Sequence, residues 1–204
     1  MIVGKTVVIL GDDAAGAAVG RGLERLGARV VRRAGEVTGG ADLVVIPVVD
    51  PGGLAPSPLA QMSQDEWVRR CEAPLDRVRS ALKAARSALS PRGGRVILLI
   101  PTLALAGAAD FVAASTLGEG ARLLAKAVAR AWGASGITVN CLALTPEQLA
   151  PGETGQVTQT RVALPLKLPD LEDDVAGYIA AQLLAPPVVT GSTTVLDGGA
   201  FMTI

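Results

Sequence analysis

Short apolar runs that alternate with longer helical stretches are the strongest constraint on this chain. Residues 5–10 (KTVVIL), 42–48 (DLVVIPV) and 94–100 (GRVILLI) are apolar at successive positions. A strand with this pattern is covered on both faces of its sheet, as in parallel sheets. Further strands are predicted at 28–33, 136–143 and 192–196. The pattern therefore predicts an α/β fold, with a parallel sheet and helices on both faces.

Helical spacing fills the intervals between these runs. Residues 63–66 (SQDE) form a capping box, which predicts a helix that begins at Gln64. Pro74 lacks an amide hydrogen and cannot continue that helix without a kink, so a second helical stretch is expected from there. We interpret residues 1–204 as one domain. The predicted helices are 14–26, 74–89, 110–132 and 172–184.

Composition excludes several kinds of site. The chain has no histidine, which removes Ser-His-Asp and Cys-His catalysis and any metal site with histidine ligands. The formal net charge is zero, which argues against a nucleic-acid or membrane-surface partner. Cys71 and Cys141 lack metal-ligand spacing and are predicted to be buried free thiols of a cytoplasmic protein.

Five segments resemble, in the same order, motifs of the short-chain dehydrogenase/reductase family, including its 3-oxoacyl-ACP reductase-like members. The resemblance covers nearly the whole chain and implies a Rossmann-like domain. One part of that fold is expected to be missing, because only eight residues, 34–41, separate two predicted strands. This interval is too short for the family's third strand and its flanking helices. The five segments are 10–16, 62–75, 94–100, 136–143 and 173–199.

The family's catalytic positions are degenerate in this chain. Its Tyr-x-x-x-Lys pair aligns with Phe111 and Ser115, which offer neither an acidic proton nor a positive charge. The resemblance leaves Thr102 as the only hydroxyl near the family's catalytic serine, and it puts Pro74 at the structural asparagine. Leu144 and Thr145 replace a proline-glycine pair that faces nicotinamide in the family. The sequence predicts no catalytic residues.

The family's cofactor positions are altered as well. The phosphate-binding turn reads GDDAAG, with Gly11 and Gly16 at its ends and Asp12 and Asp13 inside. A carboxylate here is predicted to cap the helix rather than to admit a phosphate. Arg33 ends the second strand, where a basic residue would favour NADP over NAD. We expect no cofactor and no metal; any remaining binding would be of NADP.

The resemblance leads to one main functional hypothesis and two alternatives. The main one is a non-catalytic subunit that supports a catalytically complete short-chain dehydrogenase in a hetero-oligomer, through helices 74–89 and 110–132. Gly118 and Gly120 are expected to allow close approach of the partner's helix. One alternative is an NADP-dependent ketone or alcohol oxidoreductase with Thr102 or Tyr178 as the acid. The other is a small-molecule binding module that uses the emptied cleft.

Overall fold

Six parallel strands form the sheet in the computed structural model, which describes residues 1–32, 36–37, 40–48, 52–151 and 165–201. The strand order is β2-β1-β3-β4-β5-β6. All five pairings between neighbours are parallel. The predicted α/β sheet is confirmed. The strands are β1 (Thr6–Ile9), β2 (Arg29–Val31), β3 (Leu43–Pro47), β4 (Gly94–Pro101), β5 (Ile137–Leu144) and β6 (Thr193–Val195).

Helices cover the sheet on both faces. Core residues of α1, α6 and α7 pack on one face, and those of α3 and α5 pack on the other. Within the described ranges, no helix is long and apolar enough to cross a bilayer. The helices are α1 (Ala14–Arg25), α2 (Gln64–Trp67), α3 (Ala73–Ala88), α4 (Leu103–Ala106), α5 (Val112–Trp132), α6 (Pro146–Leu149) and α7 (Ala176–Leu184).

The predicted loss of a strand is confirmed at one edge of the sheet. β1 pairs with β2 on one side and with β3 on the other. No strand lies between β2 and β3 in the part of that interval that the structure describes, and β2 is the edge strand. The chain enters β3 along α3, where the Ala41 amide donates to the Ala88 carbonyl at 3.0 Å.

Pro74 changes the helix without ending it, which corrects the expectation of a separate second helix. Ser63 caps α2 by accepting a hydrogen bond from the Glu66 amide, which is one half of the predicted capping box. The Glu66 carboxylate accepts from Ser57 and Arg70 rather than from the Ser63 amide. The helix then widens into a π-helical turn at Val68–Glu72 and continues directly into α3. A wider turn relieves the clash and the missing donor that proline brings to a regular helix.

Two other helix starts differ from the prediction. The helix expected from residue 110 begins at Val112, because Asp110 has a φ of +63° and cannot belong to a right-handed helix. The helix expected from residue 172 opens with a π-helical turn at Leu171–Val175 and becomes regular at Ala176. These irregular turns depend on tertiary contacts, so helical periodicity alone did not indicate them.

Helix α1 crosses the start of α7 at a single glycine. A Cβ atom on Gly22 would lie 2.0 Å from the Glu172 carbonyl oxygen and 2.5 Å from the Ala176 Cβ. Arg21 and Arg25 of α1 hold the same crossing through ion pairs with Glu172. The absence of a side chain at residue 22 therefore sets the distance between these two helices.

We expect Gly22→Ala to lower the free energy of unfolding by about 1–3 kcal/mol, because the methyl group forces the two helices apart. Urea denaturation followed by circular dichroism measures this loss. Gly177→Ala is the matched control, since a Cβ there meets no atom within 4 Å. The control should stabilise the protein by about 0.5–1 kcal/mol through helix propensity. Equal effects of both substitutions would contradict the close-crossing account.

Candidate functional site

The turn between β1 and α1 lies at the carboxyl end of the sheet, where Rossmann-like folds hold phosphates. Asp13 is the N-cap of α1, and its Oδ1 accepts a hydrogen bond from the Gly16 amide at 2.8 Å. The predicted capping by a carboxylate in this turn is confirmed for Asp13. The helix N-terminus, with its unpaired amides and positive dipole end, thus faces a carboxylate of its own chain.

Burial makes this carboxylate costly in its ionised form. Desolvation raises the pKa of Asp13 above its ordinary value, with a smaller contribution from the neighbouring Asp12 carboxylate. Hydrogen bonds from backbone amides, Gly16 first, oppose this rise in pKa. A phosphate in the same place would meet two carboxylates, so the electrostatics of this turn disfavour an anion.

The ring of Pro47 closes the other side of the turn. A Cβ atom on Gly16 would lie 2.9 Å from the Pro47 Cγ, and one on Gly11 would lie 3.2 Å from its Cδ. Pro47 ends β3, next to β1. The Pro47 ring therefore packs against the faces of Gly11 and Gly16 that a side chain would occupy. The Asp13 carboxylate, which already accepts a hydrogen bond from the Gly16 amide, does not fit a dinucleotide phosphate at the same place.

A cleft of about 310 Å³ opens beside this turn. It brings together four of the predicted positions, namely Gly11, Asp12, Asp13 and Pro74. Sequence reasoning did not assign Pro47 or Arg77 to it, and both line the cleft. Arg77 follows Pro74 by three residues on α3, the spacing that places two side chains on one face of a helix. Arg33, the predicted NADP determinant, lies outside the described residues.

Pro74 is the only one of the four degenerate catalytic positions that lines this cleft; Thr102, Phe111 and Ser115 do not. Thr102 is fully buried after β4, and its amide donates to the Leu144 carbonyl at 2.8 Å. Phe111 precedes α5, and its ring packs against the core on the α1 and α7 face. The Ser115 hydroxyl is buried and has no hydrogen-bond partner among the described residues. None of the three groups supplies an acid of suitable pKa beside a charge that would lower it.

The segment after β5 also departs from an open nicotinamide site. Thr145 caps α6 in a capping box with Gln148, and both residues are buried. The Gln148 side-chain amide donates to the Pro169 carbonyl at 2.8 Å. These bonds connect the start of α6 to Pro169. Residues 152–164, within the predicted proline- and threonine-rich loop, lie outside the described residues.

Both thiols are buried and free, as predicted. Burial raises the pKa of Cys71 and raises that of Cys141 to about 12, so neither is a reactive thiolate at neutral pH. Across the described ranges, no group of three or more acidic, cysteine or histidine side chains is placed to hold a metal ion.

No protein-family model and no curated protein sequence matches this chain. Solved structures do match its fold. FabI from Candidatus Liberibacter asiaticus superposes with a TM-score of 0.74 at 18% identity, over 98% of this chain and 96% of that one. A short-chain dehydrogenase/reductase variant from Serratia marcescens gives a TM-score of 0.70 at 19% identity, over 98% of each chain.

A dehydrogenase/reductase from Sinorhizobium meliloti 1021 gives a TM-score of 0.69 at 23% identity, over 98% of this chain and 96% of that one. These similarities show that the chain has the fold of short-chain dehydrogenase/reductases. Fold and chemistry are separable, so the function must be argued from the side chains in the site.

Asp13→Asn should be more stable than the wild type at neutral pH. Because the folded-state pKa of Asp13 is raised, ionisation of Asp13 costs stability as the pH rises through that value. Asparagine keeps the cap without the charge. The difference in free energy of unfolding should vanish below the ordinary aspartate pKa of 3.8, where the carboxyl is protonated in both states. Urea denaturation at several pH values measures it.

Asp13→Ala is the control for the cap itself. It removes the acceptor for the Gly16 amide and should cost about 1 kcal/mol. An asparagine variant as unstable as the alanine variant at neutral pH would contradict the electrostatic argument.

Proposed function

We propose that this protein is a non-catalytic subunit with the short-chain dehydrogenase fold, which binds no dinucleotide and supports a catalytically complete dehydrogenase of the same fold. The observation that carries the proposal is the Asp13 carboxylate on the N-terminus of α1. It satisfies the amide that a phosphate would need and places negative charge in the phosphate's position.

The absence of acid–base chemistry at the family's positions supports a non-catalytic role. Phe111 has no exchangeable proton, and Ser115 carries no charge that could lower the pKa of a neighbour. Tyr178 is the only tyrosine in the chain. It lies on α7 and lines a cavity with Arg95 and Thr138, apart from the cleft at Asp13. No observation favours an NADP-dependent reductase with Thr102 or Tyr178 as its acid.

The outer face of α5 supports the pairing part of the proposal. Leu123 is 63% exposed, and Ala127 and Ala131 are exposed on the same helical stripe. None of the described residues covers this stripe of small and apolar residues. A helix of a partner with a similar stripe would bury it, and a shared fold provides such a helix at the corresponding position.

Helix α3 contributes differently from the prediction. Its apolar residues Val78, Leu82 and Ala85 face the core of this chain, and its exposed face carries Arg79, Lys83 and Arg86. The most buried apolar residues of helix 74–89 are therefore used within this chain. We place the apolar part of the interface on α5, and we expect acidic side chains on the partner opposite α3.

The two glycines of α5 do not mark the interface as expected. A Cβ atom on Gly118 would lie 2.7 Å from the Ala104 Cβ, and one on Gly120 would lie 3.3 Å from the Leu75 Cδ1. Both close approaches are made within this chain, by α4 and α3. A substitution at either glycine would disturb the subunit's own packing, so Leu123 is the better probe of association.

The isolated chain should bind neither NADH nor NADPH at concentrations below millimolar, because the Asp13 carboxylate already holds the Gly16 amide at the N-terminus of α1. Isothermal titration calorimetry measures this, with an NADPH-binding dehydrogenase as a positive control in the same buffer. A micromolar dissociation constant would overturn the non-catalytic proposal.

Restoring the family's acid and its lysine should not restore activity. Phe111→Tyr combined with Ser115→Lys rebuilds both side chains but leaves the carboxylates at the turn and the missing strand unchanged. The double variant should show no oxidation of NADPH with ketone substrates. Turnover by this folded variant would show that the cofactor site is intact.

Leu123→Glu should release the chain from its partner. The full chain, tagged in its native host, should co-purify with a short-chain dehydrogenase that retains the tyrosine and lysine pair. A charge in the centre of the α5 stripe should weaken this complex at least about tenfold. Leu59→Glu is the matched control, because Leu59 is 58% exposed on another part of the surface. Equal retention of the dehydrogenase by both variants would contradict the α5 interface.

A further inference from the structure

A second cavity, of about 440 Å³, lies at the opposite end of the sheet from the turn at Asp13. Its floor is formed by residues near the amino ends of β4 and β5, and its wall is the last part of α7. Arg95 and Thr138 are neighbours in the register between β4 and β5, so their side chains lie next to each other on the same face. The volume is within the range of small-molecule sites.

Thr138 lines this cavity and carries a buried hydroxyl. The residue is only 6% exposed, and its hydroxyl has no hydrogen-bond partner among the described residues. Buried polar groups in folded proteins are nearly always paired, because an unpaired one loses its bonds to water without compensation. A ligand atom that bonds to this hydroxyl would remove that cost.

Arg95 supplies a fixed positive charge beside that hydroxyl. Its Nε donates to the Gln182 carbonyl at 3.1 Å and its Nη2 donates to the Ala185 carbonyl at 2.5 Å, so the guanidinium is anchored to the end of α7. No carboxylate pairs with it in the described part of the chain, and burial lowers its pKa. A partly desolvated arginine without a counter-ion is a receptor for an anion.

The remaining lining indicates what kind of anion would fit. The side chains of Tyr178, Gln182 and Thr194 line the cavity and make no hydrogen bond to another described residue. No carboxylate is among the lining residues, and Ile97, Pro187 and Val189 add apolar surface. The cavity therefore combines one charged anchor, several hydroxyl and amide groups, and apolar walls.

We propose that this cavity binds a small organic carboxylate with an apolar body. The carboxylate pairs with the anchored Arg95 guanidinium and accepts a hydrogen bond from the Thr138 hydroxyl. The apolar body lies between the Tyr178 ring and the loop around Val189. This proposal does not depend on the non-catalytic role proposed above, because the two sites share no residue.

The probe for this site is 2-naphthoate, whose fluorescence reports binding to the full chain. We expect a submillimolar dissociation constant for 2-naphthoate and at least about tenfold weaker binding of the uncharged 2-naphthamide, since only the former can pair with Arg95. Absence of saturable 2-naphthoate binding, or equal binding of both compounds, would overturn the proposal.

Substitutions then place the ligand in this cavity. Thr138→Val should weaken 2-naphthoate binding several-fold while raising the melting temperature of the free protein, because it removes an unpaired buried hydroxyl. Thr193→Val is the matched control. Thr193 lies on β6 next to Thr194 but does not line the cavity, so its substitution should leave binding unchanged. Equal binding by the Thr138→Val variant and the wild type would contradict the proposed contact.

Arg95→Gln should weaken 2-naphthoate binding at least about tenfold. Arg29→Gln, at an exposed strand arginine on the far edge of the sheet, should leave it unchanged. Circular dichroism checks that both variants fold. If Arg95→Gln fails to fold because the end of α7 loses its anchor, Tyr178→Phe and Thr138→Val still test the site. Binding that survives in every folded variant would overturn the proposal.

Discussion

The pairing of β4 with β5 is the constraint on which the rest of the structure depends. These eight-residue strands pair along their whole length, and every residue of β5 is buried. Buried backbone groups must all be hydrogen-bonded, which the parallel ladder ensures, and the apolar side chains require helices on both faces. Helices α3 and α5 on one side and α7 on the other meet this requirement. The missing edge strand lies at the other end of the sheet, beyond β1 and β2, so its loss leaves this centre intact.

The N-terminus of α1 is satisfied by a side chain of the same chain. The helix still presents unpaired amides and a positive dipole end at the carboxyl edge of the sheet. Asp13 satisfies this end from within the chain, and the raised pKa of its carboxyl reflects the desolvation that this position imposes. Pro47 packs against Gly11 and Gly16 on the faces where a side chain would lie. The acceptor that the first turn of α1 requires is therefore supplied by a side chain of the same chain.

The sequence predicted the sheet, the missing strand and a carboxylate cap at Asp12 or Asp13, because each depends on local pattern or on segment length. It did not predict the π-helical turn before Pro74. That turn forms because tertiary packing keeps the helix continuous although proline does not fit a regular helix. It showed that α3 has an apolar face, but not that this face packs into the core of the same chain. It also assigned Gly120 to a partner, although Leu75 of the same chain fills that space. The cavity that Thr138 lines is formed by segments far apart in the sequence, so no local pattern indicated it.

The two ends of the sheet differ in how they can attract an anion. At the carboxyl end, helix N-termini offer backbone amides and a positive dipole. In this chain the Asp13 carboxylate already accepts a hydrogen bond from one of these amides. At the amino end, helix C-termini offer carbonyl groups, which repel anions. Arg95 makes the electrostatic potential there positive, because its guanidinium binds the carbonyls that end α7 and presents its charge to the cavity. Anion recognition at this end therefore needs an arginine that backbone carbonyls hold in place. The same contacts that cap α7 would also prepare Arg95 for a ligand.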